Sequence, residues 1–371
     1  MNVENLNLIF LYIALAQAIF AIGYLMIYKQ LKFSTTLFVL FLTAYISPTI
    51  DHIIISSGVV AEQPRFFYTP TGFYYFLAPL FYLYTKSLLK FVASREIILF
   101  CLFGIVEFIF MVTMFALPEK YSTAFRIEHT SLFVNVYGFG LPLFSIIILF
   151  LILRIITNYQ KKYLDIFSNI QSINLNWLKY TTILLLISYV FQLATLSAFL
   201  SEHHRETIFM LDSLLSLVFL YWITIYGIRQ SHIPKDFQIF EKNTPDTISS
   251  SSEYEFEILK SYLEENKSYK NTNLTVVELA EMVHMHPKKV SATINEFSKN
   301  NFNQFINLYR IKEAKELLLD PEYNNFTIEA IAQESGFKSK SVFNTFFKSV
   351  TGKTPTSFRT ETLNPSVSSS E

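Results

Sequence analysis

The sequence predicts an all-α protein: a seven-helix transmembrane bundle followed by a small soluble all-α domain with two tandem helix-turn-helix units. Three observations predict it. Apolar runs fill residues 6 to 228, and the composition turns polar and charged after them. Within the polar part, a threonine-led helical pattern occurs twice, 52 positions apart. No stretch of that part alternates apolar and polar residues as a half-buried strand does.

The apolar runs come first. The chain of 371 residues has a mean hydropathy of +0.33, and its 38 Phe and 22 Tyr exceed what one soluble core requires. A helix needs roughly 20 apolar residues to cross the hydrocarbon of a bilayer. Seven runs reach about that length: 6–28, 33–57, 66–89, 97–117, 131–156, 177–200 and 208–228. The second contains Pro48, Asp51 and His52, and the third contains Pro70 and Pro79. Prolines are tolerated in a membrane bundle where neighbours satisfy the freed backbone groups. The first run offers small residues in "ALAQA", as a cleavage site would. It is preceded by Glu4 with no Lys or Arg, and it continues past that site, so a retained span is expected.

Loop charges orient the bundle. Segments after the odd-numbered runs carry eleven basic residues: Lys29, Lys32, Lys86, Lys90, Arg95, Arg154, Lys161, Lys162, Lys179, Arg229 and Lys235. Those after the even-numbered runs carry four, Arg65, Lys120, Arg126 and Arg205. Positive loops stay inside. The expected location is therefore a bacterial cytoplasmic (inner) membrane, multi-pass, with the N-terminus outside and the C-terminal domain in the cytoplasm.

Residues 231–253, including "EKNTPDTISSSS", are rich in Ser, Thr and Pro and read as a flexible linker. About 25 such residues have an r.m.s. span of roughly 25–30 Å. Residues 361–371 read as a disordered tail. Between them, 254–360 carries helical periodicity, beginning with the amphipathic "EYEFEILKSYLEEN".

In "LTVVELAEMVHMHPKKVSATINEF", Thr275 and Glu278 form a capping-box pattern. Leu279, Ala280 and Val283 are placed to face inward, and Pro287 opens the next helix. Val290, Ile294 and Phe297 make one buried stripe, leaving Lys288, Lys289, Ser291, Ala292 and Asn295 to solvent or a ligand. The plan recurs in "IAQESGFKSKSVFNTFFKSVTGKTPTSFR". Thr327 matches Thr275, Ile331 matches Leu279, Ala332 matches Ala280 and Phe337 matches Met285. The second turn is one residue longer, so Phe343 and Phe347 replace Val290 and Ile294. Gly336 suits a left-handed turn position, where the first copy has His284. The helix "FNQFINLYRIKEAKELLL" separates the copies, making a tandem repeat of helix-turn-helix units.

The pattern "IA…SGFKSKSVFNTFFK…TGKTPTSFR", with "LA" in the first repeat and "RIKEAKELL" between them, resembles the DNA-binding domain of the AraC/XylS family of bacterial transcription regulators. The resemblance covers about 100 of the 371 residues. Thr345 departs from it, standing where many relatives carry a basic residue. It implies that two recognition helices enter major grooves of double-stranded DNA about one turn, roughly 34 Å, apart. Base reading is then expected from Lys288, Lys289, Ala292 and Asn295 in the first helix, with Ser291 on the same face. In the second it is expected from Lys340, Ser341, Asn344 and Thr345. From Gly336 to Thr360, Lys338, Lys340, Lys348, Lys353 and Arg359 occur without an acid. Residues His286–Lys312 carry Lys288, Lys289, Lys299, Arg310 and Lys312 against Glu296. Such segments suit phosphates, whose contacts position a protein without specifying sequence.

Ionisable groups at membrane depth are costly and mark functional sites by default. Asp51, His52, Glu107 and Asp212 are therefore the candidate sensing site. Cys101 is the only cysteine, and His203 and His204 are adjacent and do not share a helix face, so no metal or cofactor is expected. No catalytic triad, HExxH, phosphate loop or kinase set is present, which argues against an enzyme. The expected function is a membrane-embedded one-component transcription regulator. Its expected partners are double-stranded DNA, membrane lipid, an unknown small-molecule or protein signal, and a second copy as a homodimer. Two alternatives are a seven-span receptor or transporter whose helical domain binds a protein partner, and a membrane enzyme using Glu107 or Asp51 and His52.

Overall fold

The described residues are helical, with no strand among them. The computed structural model describes residues 3–29, 32–89, 92–169, 175–199, 205–230 and 251–363. Two units emerge. Met1–Thr157 with Leu175–His232 form the first, and Asn158–Asn174 with Ile233–Glu371 form the second.

The first unit is built from α1 (Val3–Tyr28), α2 (Phe33–Ser56), α3 (Leu77–Leu89), α4 (Ser94–Ala116), α5 (Leu141–Leu164, whose last turns belong to the second unit), α6 (Asn176–Phe199) and α7 (Arg205–Arg229). Helix α1 packs on α2 and α7, and α2 packs on α3. A π-helical turn, Val134–Gly140, leads into α5, giving one long helical stretch over Thr130–Leu164. The helix therefore runs eight residues beyond the expected end at Ile156 and carries Lys161 and Lys162.

The count of membrane-length helices among the described residues is six, not seven. The run 66–89 is the exception. It is broken into 3-10 turns at Pro64–Tyr68 and Tyr74–Phe76 before the 13-residue α3 begins. At 1.5 Å per residue α3 spans about 20 Å, short of the roughly 30 Å of hydrocarbon. Pro70 lies in the break, whereas Pro79 sits in the first turn of α3, where a missing N–H costs nothing. Residues Ala78 to Thr85 are all buried, so this stretch is apolar on every side because it is interior.

The second unit begins with α8 (Glu253–Asn266), whose Ser252 makes a capping box with Glu255. The first helix-turn-helix is α9 (Val276–Met282) and α10 (Pro287–Ser298), and the second is α12 (Ile328–Glu334) and α13 (Lys340–Thr351). Helix α11 (Phe302–Leu319) joins them, and α14 (Pro355–Leu363) closes the unit. Helix α11 packs against α10, α12, α13 and α14. Its Ile311, Ala314, Leu317 and Leu318 share one core with Ile331, Ala332, Phe337, Phe343 and Phe347.

The duplication is visible in the turns. Thr275 caps α9 in a capping box with Glu278, and Thr327 caps α12 by accepting from Ala330 N–H. In the first turn Met285 N–H donates to Ala280 at 2.8 Å, and in the second Phe337 N–H donates to Ala332 at 2.8 Å. His284 and Gly336 both take the left-handed conformation, φ 55° and 92°. Only Gly336 also needs to lack a side chain, because a Cβ there would lie 2.6 Å from Tyr269 O.

Glu313 of α11 is nearly buried and draws in the turn after α8, bonding Lys270 at 2.6 Å, Tyr269 Oη at 2.8 Å and Lys267 at 3.3 Å. Burial alone would raise its pKa, but these donors hold it below the usual value of 4.5. Its ionised form is thus favoured by the fold. That stabilisation is full above the unfolded pKa and is lost as pH falls through the lower folded one.

Two outcomes follow for the full chain in detergent. Acid unfolding of the second unit, followed by proteolysis across pH 5 to 3, is expected to lose its steepest limb in Glu313→Gln, and an unchanged profile would refute the assignment. Gly352, also left-handed at φ 76° but facing open space, provides a control for Gly336. Gly352→Ala should cost about 1 kcal/mol from strain alone, whereas Gly336→Ala adds a backbone clash and should cost about 3 kcal/mol.

Candidate nucleic-acid interface

Helix α13 starts where Ser339 accepts from Val342 N–H, and it ends at the left-handed Gly352. Phe343 and Phe347 are fully buried, which turns the opposite face outward. Lys340, Ser341, Thr345 and Lys348 are exposed there, with Asn344 half-buried, and Lys338 is exposed in the preceding turn. Lys340, Asn344, Thr345 and Lys348 line one side of a groove of about 440 Å³ with Thr354, Pro355 and Thr356 at the start of α14. Asn344 Oδ1 is itself buried and has no hydrogen-bond partner among the described residues. The Thr345 hydroxyl donates back to Ser341 O at 3.0 Å. No ion pair engages Lys338, Lys340 or Lys348 among the described residues.

Three of the other basic residues expected on phosphates are committed elsewhere, while Lys299 and Lys312 are exposed. Lys353 pairs with Glu361 of α14. Arg359 Nη1 donates to Phe326 O at 2.8 Å, tying α14 to the segment before α12. Arg310 is 1% exposed and is a core residue. Its place in a basic stretch of sequence conceals that it lies on the buried face of α11.

In the first unit of the repeat, α10 buries Val290 and Ile294 as expected, and Phe297 stacks on Phe256 of α8 at 5.6 Å. His286 caps the helix, accepting from Lys288 N–H at 3.3 Å. Ser291 is buried, Lys288 and Ala292 are half-buried, and Asn295 is exposed. Lys289 pairs with Glu255 at 3.0 Å. Burial would raise the pKa of Glu255, but bonds from Lys289 and Ser252 hold it below its usual value. Asn295 Nδ2 lies 3.5 Å from Asp165 Oδ1, an acid that in sequence lies between the apolar helices α5 and α6. The second recognition helix is thus open and basic, and the first has acidic neighbours at two of its outward positions.

The four candidate sensing residues of the first unit, Asp51, His52, Glu107 and Asp212, fall into two groups. Asp51 accepts from Thr71 Oγ1 and from Tyr74 Oη at 2.9 Å. Buried Glu107 accepts from Tyr75 N–H at 3.0 Å and lies within electrostatic range of Asp51. Tyr137 packs edge-on to both Tyr74 and Tyr75, at 5.7 and 6.2 Å. His52 instead meets Asn7 at 3.3 Å and lies within electrostatic range of Asp212. Sequence reasoning misses the tyrosines, because the break that presents them is apolar enough to pass for helix. His203 and His204 lie outside the described residues, among which no group of three or more metal-ligating side chains forms.

Residues 279–361 match a family model described as a helix-turn-helix domain, of the AraC type. An uncharacterized HTH-type transcriptional regulator of Bacillus subtilis (strain 168), YobQ, is 30% identical over 86 residues, which is 23% of this chain and 34% of that protein. The chain thus spans about a third of this relative's length. A solved structure titled as a protein of unknown function from Listeria innocua is 25% identical, covering 28% of this chain and 93% of that one at a TM-score of 0.25. The family match falls on the C-terminal part, and the first unit carries only its apolar helices as evidence of kind.

The geometry makes a prediction about which lysines are available. In the full chain, Lys340 and Lys348 should react with an amine-selective acylating reagent several times faster than Lys289. Mass spectrometry of the modified peptides reads this directly, and equal rates would contradict the pairing with Glu255.

Proposed function

We propose that this chain is a membrane-embedded one-component transcription regulator whose C-terminal unit binds double-stranded DNA. The observation that carries the reading is the second recognition helix, fully seated on its aromatic side and presenting Lys340, Ser341, Asn344, Thr345 and Lys348 on the other. A helix of this size fits the major groove, where base edges carry a distinct donor and acceptor code. Lys338 and Lys348 serve phosphates; Lys340, Ser341 and Asn344 read bases. In the first helix, Ala292 and Asn295 read bases, with Lys288 and Lys289 beside them. The match of residues 279–361 supports this reading, as does the naming of the B. subtilis relative as a transcriptional regulator.

The first unit holds the chain in the bilayer. Among the described residues six helices have membrane length, and they expose large apolar residues such as Phe20, Leu99, Ile147, Ile187 and Leu215, which lipid would cover. Loop charge supports a cytoplasmic C-terminus whichever way the broken segment Pro64–Leu89 runs. If it crosses, the bias is the eleven to four above. If it does not, Arg65, Lys86, Lys90, Arg95, Arg154, Lys161, Lys162, Lys179, Arg229 and Lys235 share the C-terminal side. That is ten against five, Lys29, Lys32, Lys120, Arg126 and Arg205. Asp51 and Glu107 with their tyrosines, and His52 with Asp212, are the groups through which a small-molecule or protein cue would act. A homodimer, by doubling the sites engaged, would raise occupancy through effective concentration.

Genome-wide DNA capture with the tagged full chain is expected to recover discrete fragments. Lys340→Glu with Lys348→Glu should abolish that recovery, whereas Lys353→Ala should reduce it little, since Lys353 is paired to Glu361. On a recovered fragment, Lys348→Ala should lower the slope of log affinity against log salt by about 1. Fragments recovered unchanged by the double charge reversal would refute the assignment, and a protein captured in place of DNA would favour the receptor reading.

A further inference from the structure

The segment between α5 and α6 is part of the second unit, and its contacts there are those of a docked strap. Ile166 and Ser168 bracket the start of α9 as an antiparallel bridge: Val276 N–H donates to Ile166 O at 2.8 Å, and Ser168 N–H donates to Leu274 O at 3.1 Å. Val276 is the first residue of α9, so its N–H has no partner within the helix. The strap supplies it. Ser168 Oγ donates to Leu274 O at 2.7 Å and accepts from Arg310 Nη2 at 3.0 Å. Ser168 O accepts from Arg310 Nη1 at 3.2 Å and Asn303 Nδ2 at 2.8 Å. Ile166, Phe167 and Ser168 are all buried, and Tyr163 stacks on Phe167 at 4.2 Å.

Withdrawing this segment would leave Val276 N–H, Asn303 and two donors of a buried guanidinium without these acceptors. Each such orphan costs about 1–3 kcal/mol, more where the group is charged. The strap is therefore an integral piece of the first helix-turn-helix and not a loop resting on it. One residue before the anchor, Asp165 lies at Asn295, on the outward face of the first recognition helix. It directly follows the last residue of α5.

We propose that Ile166–Ser168 anchors the first helix-turn-helix to the chain between α5 and α6, and that Asp165, held over Asn295 by that anchor, withholds the first recognition helix from DNA until α5 moves. The chemistry is repulsive as well as steric, since a carboxylate at the base-reading Asn295 would face the negatively charged DNA. A cue acting on the first unit then has a covalent route to the reader that does not pass through the linker 231–253. This device rests on the DNA-binding reading above.

The test uses the full chain in native membranes, in a Cys101→Ser background so that no other thiol is present. Asp165→Cys with Asn295→Cys is oxidised and compared with its reduced form on a DNA fragment recovered by capture. The disulfide is expected to form, the oxidised protein to bind at least ten-fold more weakly, and reductant to restore binding. Failure to form the disulfide would overturn the docking, and equal binding by both forms would overturn the withholding. Asp165→Lys, which leaves Asn295 in place, should tighten binding several-fold. Unchanged or weaker binding overturns the withholding by a route that does not depend on Asn295→Cys being tolerated. If the Cys101→Ser parent binds no fragment, the regulator reading fails and the withholding with it, while disulfide formation still decides whether the strap docks.

Discussion

The second unit is organised by the need to satisfy one buried cation. Arg310 lies in the interior with Nε donating to Tyr269 O at 2.7 Å, Nη1 to Ser168 O and to Asn307 Oδ1 at 3.0 Å, and Nη2 to Asn271 O at 2.7 Å and to Ser168 Oγ. Burial pulls its pKa down to about 10, so it stays charged at neutral pH. None of these acceptors is a carboxylate. A guanidinium is a rigid planar fork, and meeting it with carbonyls from separate segments fixes where those segments lie. The turn after α8, the approach to α9, the strap and α11 are all placed by this single side chain. Gly336 then presses against the same turn at Tyr269 and Lys270, so the second helix-turn-helix is registered on the frame that Arg310 builds.

That dependence explains which features are legible in the sequence. The repeat is readable because its signals are local: a threonine cap, an apolar stripe at helical spacing, and a residue able to turn left-handed. Aligning the two copies pairs His284 with Gly336, and both have positive φ. Arg310 escapes such a reading for the opposite reason. Charge counted along a chain assigns a basic residue to the surface, and only the contacts of α11 with segments some 40 and 140 residues away show that this one is interior. The face of α13 is legible because burial of Phe343 and Phe347 determines what points outward. The face of α10 is less so, since Glu255 and Asp165 reach it from elsewhere.

The run 66–89 shows the same limit in the apolar half. Hydropathy reports that a side chain avoids water and does not say whether lipid or protein covers it. Residues of α3 are apolar on all sides because they are enclosed, and those of α4 are apolar although many, such as Ile98 and Leu99, lie on the outside. A window average treats both alike. Pro70 and Gly72 carry the distinguishing information, since a proline and a glycine two apart are poor material for the middle of a span. The break has a consequence: it turns Tyr74 and Tyr75 onto Asp51 and Glu107, which an unbroken helix would not present together.

The two recognition helices are unequal in a way that bears on how such a reader is controlled. Non-specific attraction to DNA comes from cations not already neutralised; among the described residues of the second unit these include Lys338, Lys340 and Lys348 on and beside α13, with Lys299 and Lys312 further off. The outward positions of α10 are held by Glu255 at Lys289 and by Asp165 at Asn295. On the proposed reading, a unit built this way would stay attracted to DNA while the outward face of its first recognition helix is kept from contributing. Control of the first helix then changes how many base pairs are read, and with each mismatched pair worth about 1–3 kcal/mol, that is a change in specificity more than in attraction. On that proposal, the strap puts input from the first unit on the half where a small displacement would alter the most discrimination.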